Sequence, residues 1–532
     1  MGIFMRLINY TEDKRLHDYS LVSATLALLF LALFLLLKKE WSIHSSTKFP
    51  IVGIESPGYF GLVKAREKYI SDAFHIVKNG YHKYRGKNFV VTAHSYDKII
   101  LTSDQINELS NAPDDTVSFS HFLAEVMQGP YTGMDRFLGT NYLAEVVRIK
   151  LTKSLGTIKE AIIEEVRFSL DTELLGCTTD EWRSVEIFIL ILRTVARTSG
   201  RVFVGLPLCR NEDWLAVSMA FTGDLFMAIE KLERIPKPIR PFYTWIFNST
   251  KLISLHRKKA QTLLGPVIRE RLEEERLAKE NGSAYKKPSD MLQWLTDLVE
   301  PRHKNTKDLS ELQLFASVAS IHTTSLSFLN VLYDLAAHQE CVQPIREEIE
   351  AVISANNGII DRAALHKMTK TDSFFKESTR GQIDVLSFGR KILKNVTLSD
   401  GTPLKQGTLV SAPAAMFSSD PDLLEDPETF DGFRWYKKSL EAESRAAHNS
   451  NWTTTSAHHL TFGHGKHACP GRFFVTEELK ILLTFIILQY DIKYPEGESR
   501  PATIKYGEAI YPDTTRKLLF KKLPGPKKFS FL

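Results

Sequence analysis

Between Thr461 and Phe474 the chain places Gly463, Gly465 and Gly471, one proline, Pro470, and one cysteine, Cys469, in a single short stretch. Gly463 and Gly465 permit the positive φ that a β-carbon resists, and Gly471 permits a flat ligand to lie close to the main chain. Pro470 follows Cys469 directly and suits the first turn of a helix. The apolar-rich run from Phe473 to Leu488 predicts that helix. The order of residues therefore puts Cys469 at a helix N-terminus, beside unpaired N–H groups and the positive end of the helix dipole, where thiolate is favoured over thiol.

A thiolate on a glycine-rich loop is one way of holding haem iron. Phe462, Gly465, His467, Cys469 and Gly471 resemble the cysteine-ligand loop of cytochrome P450 enzymes, with His467 where most members carry arginine. The run from His467 to Phe474 resembles fungal members of that family. Three other readings compete. His458, His459, His464, His467 and Cys469 could form a zinc site, although structural zinc usually draws its ligands from two separated pairs. Gly463, Gly465 and Ala468 match a loose dinucleotide fingerprint, but that motif needs a βαβ unit and too little chain remains beyond Leu488. A merely structural cysteine would leave the flanking glycines unexplained.

A composition of 43% hydrophobic and 25% charged residues suffices for a large core. The net charge of +5 over 532 residues does not argue for nucleic acid and fits mild attraction to an acidic membrane surface or partner. Cys177, Cys209, Cys341 and Cys469 show no paired spacing, which points to a reducing compartment. Leu21 to Leu37 is apolar, uncharged and followed at once by Lys38 and Lys39. It is about long enough to span a bilayer and reads as an uncleaved anchor rather than a signal peptide. The expected organisation is an N-terminal segment 1–20, a transmembrane anchor 21–37, a linker 38–57, a haem domain 58–522 and a basic tail 523–532, with Lys521 to Lys528 flexible. Basic residues flank the anchor on both sides; the resemblance implies a single-pass protein of the endoplasmic reticulum membrane with its catalytic domain cytosolic. Asn248, Asn281, Asn395 and Asn451 would then be unmodified sequons.

Asn88 to Thr102 predicts a small β-region, Leu309 to Ala337 one long central helix, Pro344 to Ile353 and Leu365 to Arg380 further helices, and Val396 to Val410 a hairpin around Asp400 and Gly401. In the long helix, Ala319-Ser320-Ile321-His322-Thr323-Thr324 resembles the family's oxygen-activation motif, with serine for its glycine and His322 for its acid. The resemblance implies that Ala319 leaves room beside the haem, that Thr323 relays protons and that His322 can carry them near neutral pH. A mid-helix threonine can instead bond the carbonyl one turn back, and a helix histidine can simply pair with another element. Asn141 to Leu155 predicts a helix bearing Arg148, which resembles the arginine that meets a haem propionate, although Ala144 stands where a tryptophan is expected. Arg390 resembles a second propionate ligand, a role shared with His467. Glu377, Arg380 and Arg434 resemble the family's buried charge network behind the haem. Pro236, Pro238 and Pro241 interrupt two helical stretches before Phe242, Tyr243, Trp245, Ile246 and Phe247. That segment is either a membrane-side substrate entrance or a core-packed aromatic loop.

The expectation is thus a mainly α-helical cytochrome P450 fold with small β-sheets, preceded by one N-terminal transmembrane helix. It would bind haem b with Cys469 as axial iron ligand and insert one atom of O2 into a C–H bond. Electrons would come from NADPH through a separate NADPH-cytochrome P450 reductase. The texture resembles fungal secondary-metabolism oxygenases, including those of diterpenoids and indole diterpenoids, so the expected substrate is lipophilic, with a terpenoid ahead of a polyketide or an alkaloid. Dehydration, rearrangement or isomerisation on the same fold is the alternative chemistry. A metal-stabilised membrane scaffold using the histidines is the alternative without catalysis.

Overall fold

The computed structural model describes residues 48–525 apart from Pro57, His94, Ile383 and 442–450, together with Ser23 and Phe529. The expected anchor, 21–37, lies outside the described residues but for Ser23. The principal helices are α1 (Tyr59–Lys83), α2 (Thr152–Glu173), α3 (Ile187–Phe203), α4 (Glu212–Glu233), α5 (Arg240–Phe247), α6 (Lys251–Glu280), α7 (Thr306–Ala337), α8 (Val342–Ala355), α9 (Thr369–Arg380), α10 (Arg434–Glu441) and α11 (Arg472–Gln489).

Helix α7 starts where the Asn305 side chain accepts the Asp308 N–H at 3.0 Å, which satisfies one of the free donors at a helix start. It then runs through residues apolar on nearly every face. Among the described residues α7 alone is long and apolar enough to cross a membrane, yet its apolar window is 67% buried in the protein, so it is the central helix. Helices α3, α4 and α6 pack on it, and α2 bridges α3 to α11. Helix α11 is likewise buried along most of its length, from Phe474 to Leu488.

The strands are β1 (Ile51–Val52), β2 (Phe89–Thr92), β3 (Asp97–Ile100), β4 (Val117–Ser118), β5 (Arg183–Glu186), β6 (Ser387–Ile392), β7 (Val396–Thr397), β8 (Pro403–Leu404), β9 (Leu409–Ala412), β10 (Tyr490–Lys493), β11 (Ile504–Tyr506), β12 (Ala509–Tyr511) and β13 (Lys517–Lys522). The largest sheet has the order β1-β2-β3-β9-β6-β4, with a smaller sheet β10-β13-β5 and the pairs β11-β12 and β7-β8. The β7-β8 hairpin turns at Gly401, whose φ is +83°.

Several boundaries differ from expectation. Ile51 and Val52 pair in parallel with Val90 and Val91, so the sheet begins inside the expected linker. Lys521 and Lys522 pair with Asp491 and Tyr490, so the basic end is a strand at its start. Leu365 to Arg380 is not one helix. The Glu348 carboxylate accepts the main-chain N–H groups of Lys370 and Thr371 at 2.7 and 2.9 Å, capping a new helix there. Pro470 precedes the first turn of α11, which opens at Arg472 after Gly471.

Candidate functional site

The cysteine loop is held by its own main chain. Cys469 N–H donates to the Phe462 carbonyl at 2.7 Å, Ala468 N–H to Gly465 at 3.0 Å, and Lys466 N–H to Ser110 at 3.1 Å. Gly463 and Gly465 sit at φ +66° and +73°. A β-carbon at Gly465 would also overlap the Ser110 backbone, so two independent reasons demand glycine there. Gly471 is different: its φ is −83°, and a β-carbon would meet only Cys469 Sγ and Val147 at ordinary contact distance, 3.9 Å. The protein leaves space beside the sulfur at Gly471. Phe462 stands edge-on to the fully buried Trp452, ring centroids 5.0 Å apart.

Burial pushes the Cys469 thiol above its ordinary value, and the Gly471 and Arg472 N–H groups with the Arg472 guanidinium pull it back only in part. The expectation that the helix terminus by itself favours thiolate is therefore corrected. Desolvation of the charged form outweighs the dipole here, and a cation bound at the sulfur is what would ionise it.

Three further expected residues gather at this loop. Arg148 lies on a π-helical turn, Val146–Leu151, and donates to the Lys466 carbonyl at 3.0 Å. His467 bonds Asp114 at 2.6 Å through Nε2 and leans on Phe119, 5.8 Å between ring centroids. Burial first, then the nearby Arg390, holds its pKa down. Arg390 is 2% exposed and lies over Phe388 and Phe119 at 4.1 and 5.5 Å. Its Nη1 donates to the Gly389 carbonyl at 2.8 Å, but its Nη2 has no partner among the described residues. Burial lowers its pKa to about 10. A buried cation with an unmet donor is costly and calls for an anion.

On α7, Ala319 and Thr323 are exposed while Val318, Ile321 and Thr324 beside them are buried. Residues four apart share a helix face, so the central helix carries one bare stripe. Thr323 Oγ1 donates to the Ala319 and Ser320 carbonyls at 2.8 and 3.2 Å. His322 gives Nε2–H to the Met219 carbonyl of α4 at 2.9 Å, and burial lowers its pKa. Cys469, Arg148, Arg390 and His467 thus come together at one loop, Ala319 and Thr323 share the stripe, and His322 is engaged with α4.

Glu377 is 2% exposed and accepts from Arg380 Nη2 and Nε at 2.8 and 3.1 Å, Arg434 Nε at 3.3 Å and Trp435 Nε1 at 3.2 Å. Arg434 also donates Nη2 to the carbonyls of Asp426 and Thr429 at 3.0 and 2.6 Å, and Nη1 to that of Glu425. Arg380 Nη1 donates to Ser418 at 2.8 Å. The ions are therefore paired and their remaining hydrogen-bonding groups met, the condition for tolerating buried charge.

Two alternatives fail on geometry. His458 turns to Ser103 and His464 to Thr455, at 2.8 and 3.3 Å, and among the described residues no three His, Cys, Asp or Glu side chains group as a metal-ligand set. The segment after Pro241 is not core-packed, since Phe242, Ile246 and Phe247 are exposed on α5 and Trp245 is 82% exposed. Asp114, Ser110, Phe119 and Trp452 complete the site and carried no signal in the chain, because each reaches the loop only through tertiary contact.

These residues suit haem: a buried guanidinium with an unmet Nη2 among the described residues suits a propionate, a thiol awaiting a cation suits iron, and the small-residue stripe with the gap at Gly471 suits a flat ring. The cytochrome P450 family model matches residues 63–520. Cytochrome P450 monooxygenase AN1598 of Emericella nidulans is 36% identical over 497 residues, covering 92% of this chain and 91% of its own. Ent-kaurene oxidase P450-4 of Gibberella fujikuroi is 30% identical over 489 residues, covering 90% and 94%. The retinoic acid-bound cyanobacterial CYP120A1 structure superposes with a TM-score of 0.60 over 84% of this chain and 94% of its own, at 17% identity, which is likeness of fold alone. A family match spanning nearly all of the described chain, together with relatives 30% or more identical over most of their length, means that this chain belongs to the cytochrome P450 family and is a haem-containing monooxygenase.

Proposed function

We propose that the protein is a membrane-anchored monooxygenase that oxidises a lipophilic secondary metabolite, a terpenoid in the reading favoured here. A separate NADPH-cytochrome P450 reductase supplies the electrons, and the catalytic domain faces the cytosol at the endoplasmic reticulum. The observation that carries the chemistry is Cys469 on a loop whose shape depends on Gly465, with the unmet Nη2 of Arg390 close at hand. The substrate class draws support from the fungal relative named ent-kaurene oxidase and from the exposed aromatic face of α5, which suits a membrane-side entrance.

Haem b, when bound, supplies the redox chemistry that activates O2, inserting one atom into a C–H bond while the other leaves as water. The chain's own residues hold and serve it. Cys469 would hold its iron through the sulfur, with Phe462, Gly465 and Gly471 shaping the bed around it. Arg390, Arg148 and His467 would hold its two carboxylates, which charge-assisted hydrogen bonds would orient. Glu377, Arg380 and Arg434 keep the frame behind the loop rigid. Ala319 leaves room on α7, and the Thr323 hydroxyl swings from the Ala319 carbonyl to pass a proton into the site. His322 keeps its Nε2 proton on the Met219 carbonyl and in this reading positions the Thr323 turn against α4.

The carbon monoxide complex of the reduced protein tests the core of this reading. It should show the red-shifted Soret band of sulfur ligation, and Cys469→Ala should abolish it; a band that survives the substitution overturns the assignment. Feeding ent-kaurene and other terpenoid probes under labelled O2, with a reductase co-expressed, tests the reaction. A product without label would select rearrangement or isomerisation instead. Thr323→Ala should raise the peroxide released per NADPH oxidised, and unchanged coupling removes Thr323 from proton delivery.

A further inference from the structure

Glu478, on α11, is 1% exposed and has no cationic partner among the described residues. Its neighbour Glu477 pairs with Arg362 at 3.2 Å, whereas among the described residues the Glu478 carboxylate meets only the hydroxyl of Ser199 on α3, at 3.1 Å from Oε1 and 3.5 Å from Oε2. Ser199 is fully buried, and its Oγ lies 3.2 Å from Oγ of Ser320 on α7. Ser320 is half-buried and stands next to the bare residue Ala319. A continuous line of hydroxyls thus joins Ser320, one residue from the bare stripe on the central helix, to an acid on the helix that leads away from Cys469.

We propose that Glu478 is a proton store for O2 reduction, feeding the exposed face of α7 through the hydroxyls of Ser199 and Ser320. The inference rests on the monooxygenase reading above. Its necessity comes from His322, whose Nε2 proton is committed to Met219 and which therefore leaves the stripe without an ionisable neighbour on its own helix turn. Its possibility comes from Ser320, because the glycine usual at that place in the motif would break the line. Burial without a cation pushes the Glu478 carboxyl up to about 8, so it holds its proton at neutral pH. In delivery the carboxyl gives its proton to Ser199, Ser199 passes its own to Ser320, and Ser320 passes its own to the oxygen being reduced. The carboxylate left behind takes a proton back along the same hydroxyls from water in the site. NADPH, through the reductase, supplies the electrons: two electrons and two protons take O2 to hydrogen peroxide, and four of each take it to two waters.

Two measurements on the full-length holoenzyme test this. Infrared difference spectra at neutral pH should contain a carboxylic-acid carbonyl band that disappears in Glu478→Gln and shifts in Ser199→Ala, a result independent of turnover. Holoenzyme with reductase and NADPH, without organic substrate, divides O2 between peroxide and water. Ser320→Gly, Ser199→Ala and Glu478→Gln should each slow the water-forming branch about a hundredfold or more, the lower end of the range for loss of a positioned proton donor. Each should raise peroxide per NADPH and change the solvent deuterium isotope effect on that branch. An inter-helix tie alone would move neither the isotope effect nor the peroxide yield. The proposal is overturned if no carbonyl band depends on Glu478. It is equally overturned if the variants keep the parent peroxide yield while retaining the red-shifted carbon monoxide band, which shows the haem-thiolate reading intact. Ser320→Gly restores the usual residue and keeps the test decisive if Glu478→Gln folds poorly.

Discussion

Replacing Glu377 with glutamine removes one buried negative charge from between two guanidiniums while keeping the side chain's size. Glu377 is the hub: Arg380 reaches it with two donors, Arg434 with one and Trp435 with one, all within 3.3 Å. Breaking a buried pair by removing one partner costs about 3–5 kcal/mol, because the surviving charge stays desolvated. The carbonyls of Ser418, Asp426 and Thr429 still solvate parts of both guanidiniums, so the loss belongs at the lower end of that range. With a urea slope of about 3 kcal/mol/M for a long chain, a loss of about 3 kcal/mol lowers the unfolding midpoint by about 1 M. Arg380→Met should cost less, since Glu377 then keeps Arg434 and Trp435. The assay is urea unfolding of carefully matched haem-loaded samples, followed by the Soret band and by far-ultraviolet circular dichroism. A midpoint for Glu377→Gln within about 0.3 M of the parent, equivalent to about 1 kcal/mol, refutes the reasoning. So does an Arg380→Met variant that is the less stable of the two.

Gly465→Ala places a β-carbon in the left-handed region, worth about 1–2 kcal/mol, and against the Ser110 backbone, which cannot swing away. It should release the Lys466 to Ser110 hydrogen bond and lower haem content per protein while far-ultraviolet circular dichroism stays near the parent; full haem content would refute it. Trp245, 82% exposed on α5, should be quenched when the full-length protein sits in vesicles with brominated acyl chains. The Trp245→Phe variant should lose that quenched component, and equal quenching in both proteins places α5 away from lipid. The Glu478 carboxyl is held at about 8 in the fold, above its ordinary 4.5. The native state keeps a proton that the unfolded state loses across that window, so this group's stabilisation is full below about 4.5 and falls by about 1.4 kcal/mol per pH unit as pH rises toward 8. Glu478→Gln should flatten the stability–pH curve over that interval, and an unaltered slope would show that the carboxyl is not raised.

What the amino-acid order determined is local. Positive-φ turns at Gly463 and Gly465, a cysteine before a helix and the long apolar run that became α7 follow from backbone sterics and periodicity within a few turns of chain. The Glu377 and Arg380 pair was legible for the same reason, since residues three apart share a helix face. Tertiary structure decided everything that depends on how much water a group has lost and who else stands beside it. The Cys469 thiol is raised because burial outweighs the helix dipole, a balance set by side chains from distant segments. Glu348 split one expected helix in two from another element, Asp114 reached His467 from far upstream, and the prolines before Trp245 could not say whether the aromatics would turn inward or out. Glu477 and Glu478 are chemically identical neighbours in the chain. Only tertiary structure gives one the guanidinium of Arg362, on the helix Arg362–Lys367, and the other the Ser199 hydroxyl on α3, because desolvation is a property of the folded surroundings and not of the residue.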